Sequence, residues 1–166
     1  MSWRCNICGI EHDELPTCFG GEAPWPALVP ASEFENRVLL TKDQCTVDDD
    51  AFFIRGHIEI PILDSADFLL WSVWCSLSEQ SHVHISENWE NPGRAGSSYF
   101  GWLSTPIPDY PSTIGLKTIV LSRELGRVPL VHVQECDHPL FVEQKNGITR
   151  ERYTEIVHEV LQHGAV

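Results

Sequence analysis

Residues 51–63, AFFIRGHIEIPIL, decide the fold. From Ile54 the chain alternates apolar or small residues with polar ones: Ile54, Arg55, Gly56, His57, Ile58, Glu59, Ile60. That period belongs to a β-strand with one buried face. Pro61 has no N–H to donate to a ladder and marks a strand end or an edge. Residues 68–78, FLLWSVWCSLS, carry so many large side chains that a strand there is expected to be covered on both faces. Only Asp64-Ser65-Ala66-Asp67 separates the two runs, a connection of hairpin length, so antiparallel pairing is expected.

Working outward, SSYFGWLS (97–104) reads as a third strand and PIPDYPST (106–113) as a proline-rich loop. LKTIVLSRE (116–124) and VPLVHVQE (128–135) form a second hairpin around Gly126. HVHISENWEN (82–91) suits a short helix or a strand. From Thr149 an amphipathic helix is expected, with Tyr153, Ile156, Val157, Val160 and Leu161 on one face. On the N-terminal side, EAPWPALVPASEF (22–34) is an extended connector, because its prolines cannot continue a helix or a ladder. Ser32 and Glu35 have capping-box spacing, which predicts a short helix through Leu40, ended by turn chemistry in TKDQCTVDDD (41–50). The expected class is α+β: an antiparallel β-sheet with the C-terminal amphipathic helix packed on it. One domain spans 1–166, with a zinc-knuckle-like segment over 1–20 and a sheet-plus-helix core over 45–163.

Eleven Lys+Arg against 24 Asp+Glu give a formal net charge of −13. A field of that sign repels nucleic acid and anionic lipid and attracts a basic protein. The start of the chain carries no basic, apolar, small-residue leader pattern, and no run approaches the roughly 18 apolar residues of a membrane span. The expected compartment is therefore the cytoplasm, where close cysteines more often bind metal or do redox chemistry than form disulfides.

Cys5-x-x-Cys8 followed by Gly9 suits a metal knuckle: this spacing lets two thiolates face one ion, and the glycine permits the tight turn. A redox dithiol is the competing reading, but the motif does not head a helix after a strand. A structural zinc site needs two further ligands. His12 is close enough to close over the same ion, and Cys45 would tie the knuckle to the sheet. Cys136 with His138, or Cys18, are the other sources. His57-x-Glu59 matches half of a zinc-deaminase signature, without its downstream Pro-Cys-x-x-Cys, and is better read as a solvent-facing strand pair. His82-x-His84 with Glu87 gathers a metal only if the segment is a strand. Cys75 is expected to be a small core residue. No HExxH, GxSxG, P-loop or GxGxxG occurs, so catalysis has no anchor in the sequence. Trp102 and Tyr110, in GWLSTPIPDYPST (101–113), are candidate aromatic anchors for a partner.

The stretches CNICGIEHDELP, DQCTVDDDAFFIRGHIEIPI, WSVWCSLSE, YFGWL, YPSTIGLK and HPLFVEQKNGIT resemble, in this order, a bacterial domain-of-unknown-function family (number 2199) over nearly the whole chain. The resemblance implies one domain holding both knuckle and sheet. Cys5, Cys8, His12, Cys45 and His138 match its motif positions, whereas Cys18 and Cys136 do not. It implies no activity. Charge, size and the lack of catalytic motifs favour a small acidic binding or inhibitor protein with a structural zinc. Its most concrete form is an immunity protein neutralising a basic toxin, such as a nuclease. The alternative is a zinc-dependent hydrolase, with three protein ligands and an open coordination position.

Overall fold

The computed structural model describes residues 3, 4, 11, 12 and 18–163. Strands β1 (Trp3–Arg4) and β2 (Glu11–His12) pair antiparallel, with Trp3 opposite His12. Cys5 and Cys8, and with them the expected knuckle, lie outside the described residues. β3 (Cys18–Gly20) precedes the proline-rich connector, which winds into two short 3-10 turns, Trp25–Ala27 and Ala31–Glu33. Then follow α1 (Phe34–Arg37), β4 (Val38–Leu40), β5 (Gln44–Val47), β6 (Ala51–Pro61) and β7 (Phe68–Leu77). The remainder comprises α2 (Glu79–Glu87), β8 (Ser98–Leu103), β9 (Lys117–Leu121), β10 (Leu130–Val133), α3 (Pro139–Asn146) and α4 (Arg150–His163).

The β6–β7 hairpin is the spine. Its strands pair without interruption from Phe52↔Leu77 to Pro61↔Phe68. Arg55, His57 and Glu59 are half-buried on one side, and Ile54, Gly56, Ile58 and Ile60 are buried on the other, as the alternation requires. The hairpin splits its outer edges. The start of β6 pairs with β5, and its middle meets β10; the start of β7 pairs with β3, and its end with β8. Strands β6 to β10 thereby close into a small five-stranded barrel, from which β5 and β4 extend on one side and β3 on the other. An odd number of strands running up and down cannot close with antiparallel pairs alone. One seam must be parallel, and it is β10–β6, where Leu130 sits opposite His57 and the His57 N–H donates to Pro129 O at 2.9 Å.

The sheet is therefore not wholly antiparallel, since β3 also runs parallel to β7. Two further expectations are corrected. The helix over 32–40 ends at Arg37 and its N-cap makes no side-chain hydrogen bond, so the Ser32–Glu35 spacing forms no capping box. Residues 38–40 instead pair with 45–47, inside the stretch expected to be only a turn. α3 was not expected: His138 caps it, Nδ1 accepting from the Leu140 N–H at 3.1 Å, and Pro139 occupies its first turn.

Two apolar clusters explain why β7 is buried without a break from Trp71 to Cys75. The larger joins the inward residues of the barrel strands to Tyr153, Ile156, Val157, Val160 and Leu161 of α4, the face read from the sequence. Thr149 starts that helix by accepting the Arg152 N–H at 3.1 Å. The smaller, on the opposite face of the hairpin, holds Val29, Val38, Cys45, Val47, Phe53 and Trp74.

Candidate interaction surface

β8 alternates cleanly: Tyr99, Gly101 and Leu103 are buried, while Ser98, Phe100 and Trp102 face solvent. Phe100 and Trp102 are 42% and 45% exposed, which is unusual for two large aromatics side by side. Their rings meet edge to face, 5.1 Å apart at 88°, so each holds the other in place. The Lys117 ammonium lies 6.0 Å from the Trp102 ring centre. Gly101 between them permits the approach of β8 to β7, because a Cβ there would lie 3.0 Å from Ser76 O. The register carries the apolar stripe onward, with Phe100 opposite half-buried Ile119 and Ser98 opposite half-buried Leu121. Trp102 was a candidate from the sequence; Phe100 was not, although two residues' spacing on a strand put it on the same face.

Tyr110 plays a different part. Its hydroxyl donates to Glu143 Oε2, and the Arg152 guanidinium sits over its ring at 5.5 Å. Arg152 also binds Glu143 Oε1 at 2.8 Å and Asp109 Oδ2 at 2.5 Å. Burial, then the adjacent Glu143 carboxylate, push the Tyr110 phenol above its ordinary range. The proline-rich loop is thus fastened to α3 and α4 through Tyr110, while Trp102 stands free of that network.

The metal candidates with described side chains lie apart. Cys45 is fully buried on β5 among Val29, Val38, Val47, Phe53 and Trp74. Burial raises its thiol pKa, against a weaker opposing backbone hydrogen bond at Trp25, so its surroundings favour the protonated form. Both ring nitrogens of His138 are engaged, Nδ1 in the cap and Nε2 with Pro111 O at 3.2 Å. Cys18 and Cys136 are exposed. Glu59 accepts from Arg123 Nη1 at 2.7 Å and His57 is half-buried beside it, so this pair belongs to an ion-pair network more than to open solvent. His82 and His84 diverge because their segment is helical: His82 stacks on Phe52 at 4.8 Å and His84 Nδ1 meets Tyr99 Oη at 2.7 Å. Cys75 is fully buried, its thiol pushed up to about 12 by burial. Among the described residues no three His, Cys, Asp or Glu side chains gather as a metal-holding group.

Several of the chain's cations are already paired. Arg37, Arg55, Arg123, Arg127 and Arg152 are each held by carboxylates. The pairing leaves the formal net charge of the chain at −13. Among the described residues no helix is long and apolar enough to cross a membrane.

A family model described as an uncharacterized protein conserved in bacteria matches residues 4–148, and the chain belongs to that family of domain of unknown function 2199. No curated protein and no solved structure matches it.

Proposed function

We propose that this member of an uncharacterized bacterial family is a small acidic binding protein that captures a basic protein, in its most concrete form an immunity protein neutralising a toxin. The observation that carries this reading is the Phe100–Trp102 pair, exposed on a rigid barrel strand of a chain with net charge −13. Rigid aromatic anchors supply affinity at low entropic cost, and the surrounding charge steers a basic partner and speeds encounter. The zinc-hydrolase alternative gains no observation of its own.

The test is calorimetric titration of the purified chain with the product of an adjacent toxin-like reading frame, at low and moderate salt. Binding is expected to weaken as salt rises. Trp102→Ala is expected to weaken it by about 30-fold, as loss of about 2 kcal/mol at a central anchor implies. Because Trp102 is exposed, the variant should unfold at the same denaturant concentration as the parent. Absence of both binding and inhibition would sink the reading.

A structural zinc ion on Cys5, Cys8 and His12 belongs to the same proposal. Cys45 enters as fourth ligand only as a thiolate in an apolar pocket, at a cost that metal coordination must offset. Cys5→Ser is expected to lose stoichiometric zinc by elemental analysis while the barrel keeps its circular dichroism. Unchanged zinc content would remove the assignment.

A further inference from the structure

We propose that the outer edge of β4 receives an extended, lysine- or arginine-rich segment of a partner protein as an added strand. The proposal deepens the binding reading above and rests on it for the sign of the partner's charge.

Among the described residues β4 pairs on one side only, with β5, through Val38↔Val47, Leu39↔Thr46 and Leu40↔Cys45. The Asp48 N–H donates to Arg37 O at 2.9 Å and the Thr41 N–H to Gln44 O at 2.8 Å. In an antiparallel ladder these odd-numbered residues turn their backbone groups toward β5, so Val38 and Leu40 turn theirs away. The Val38 N–H is used, closing α1 on Phe34 O. The Val38 carbonyl and both backbone groups of Leu40 then have no partner among the described residues. Open edges are usually blunted by proline, lysine or a bulge; Val38-Leu39-Leu40 has none of these.

Side chains beside the edge suit a guest strand. Leu40 is 42% exposed and lines a hollow of about 390 Å³ with Trp25, Pro26 and Trp74, enough for one apolar side chain of a strand laid along β4. Leu39, 70% exposed, offers a second apolar contact on the opposite face. Main-chain bonds on the edge with a pocket for alternate side chains are the two ingredients of strand addition.

The rim selects the guest's charge. Glu33, Glu35, Asp48, Asp49 and Asp50 are all exposed on the segments flanking β4. Of the two cations on these segments, Arg37 is already held by Glu33 at 2.8 Å and Asp48 at 2.7 Å, and exposed Lys42, in the β4–β5 turn, leaves the carboxylates in excess. A second copy of this chain carries the same net charge of −13, so like-charge repulsion opposes it as the guest. A basic segment meets the same rim with attraction.

The experiment uses the full chain, labelled with 15N, and two short blocked peptides, one of alternating lysine and valine and one of alternating glutamate and valine. Without peptide, the Leu40 amide is expected to exchange freely with solvent. The lysine–valine peptide should slow that exchange about 10-fold, as one added hydrogen bond implies, and move the amide signals of residues 38–41. Its glutamate counterpart should do neither. Leu40→Pro deletes the outward donor and no β5 bond, and should abolish the effect. Leu40→Ala keeps the donor and should retain protection with several-fold weaker binding. A Leu40 amide already protected in the free chain overturns the proposal, whether a second copy or another segment of this chain covers it. So does a lysine–valine peptide that leaves 38–41 unmoved, or Leu40→Pro binding like the parent. If the peptide shifts the Phe100–Trp102 face instead, the β4 site falls and the binding reading stands. If the adjacent gene's product fails to bind at all, that reading falls on its own test.

Discussion

Arg94 shows how much one side chain can hold. It is only 7% exposed, and its guanidinium donates to four backbone carbonyls, Trp89 and Arg127 at 2.6 and 2.9 Å, and Arg123 and Glu124 at 2.8 and 3.0 Å. It also lies 4.8 Å from the centre of the Trp89 ring. These contacts tie the β9–β10 turn to the segment after α2. Arg94→Ala removes all four bonds of a buried guanidinium and is expected to cost about 3 kcal/mol in urea denaturation. Arg94→Lys should recover little, because an ammonium on a flexible stem cannot serve carbonyls arranged around a planar fork. Equal stability of Lys and Arg at this position would show that charge alone matters there. Nothing local in the sequence marks Arg94, since all its acceptors but Trp89 come from distant residues that only the fold assembles. Trp102 was legible as a candidate, but its exposure depended on which face of β8 turned outward.

At the level of elements, the barrel closes where β10 crosses β6, and Gly56 is the reason it can. A Cβ at Gly56 would lie 2.7 Å from Val131 Cγ2 and 2.8 Å from Pro129 O, and the latter is backbone that cannot swing aside. Gly56→Ala is expected to destabilise the chain by about 1–3 kcal/mol, through strain at this seam, measured by chemical denaturation. An unchanged midpoint would mean the seam is compliant. The strands of both hairpins and α4 were legible because each repeats its period for several residues. β4 was not, because Val38-Leu39-Leu40 is too short to show a period, and only pairing with β5 makes it a strand. α3 carried a signal that went unread: a capping residue, His138, directly before Pro139, with Gly147 at the far end at a φ of 80°.

For the molecule as a whole, charge and burial predict how stability depends on solution conditions. His57 is half-buried, and burial followed by Arg55 and Arg123 holds its pKa below the ordinary 6.5; burial alone does the same for His82. Above 6.5 both states of the chain leave these rings neutral. As pH falls below 6.5 the unfolded chain takes up protons that the folded chain resists, so stability declines. Asp48, held down chiefly by its hydrogen bond to Arg37, contributes stability above the ordinary carboxylate range that is lost as acid titrates its lowered pKa. Thermal unfolding should therefore move to lower temperature between pH 7 and 5, and His82→Phe should flatten part of that slope. At neutral pH, added salt should raise the unfolding temperature by screening the excess of carboxylates. A pH-independent midpoint over that range would contradict the assignment of half-buried, neutral histidines. The acidity of the surface was legible from composition alone. The open edge was not, because it is defined by hydrogen bonds that β4 does not make.

The parallel seam also sets an order of events in time. It joins residues 57 and 130 across three intervening strands and a helix, so closing it pays the largest loop entropy of any barrel pairing. The β6–β7 hairpin, by contrast, forms from neighbours in sequence. In stopped-flow chevrons, Gly56→Ala should therefore speed unfolding and leave the refolding rate nearly unchanged. The lifetime of the closed barrel is then governed by the last contact it makes.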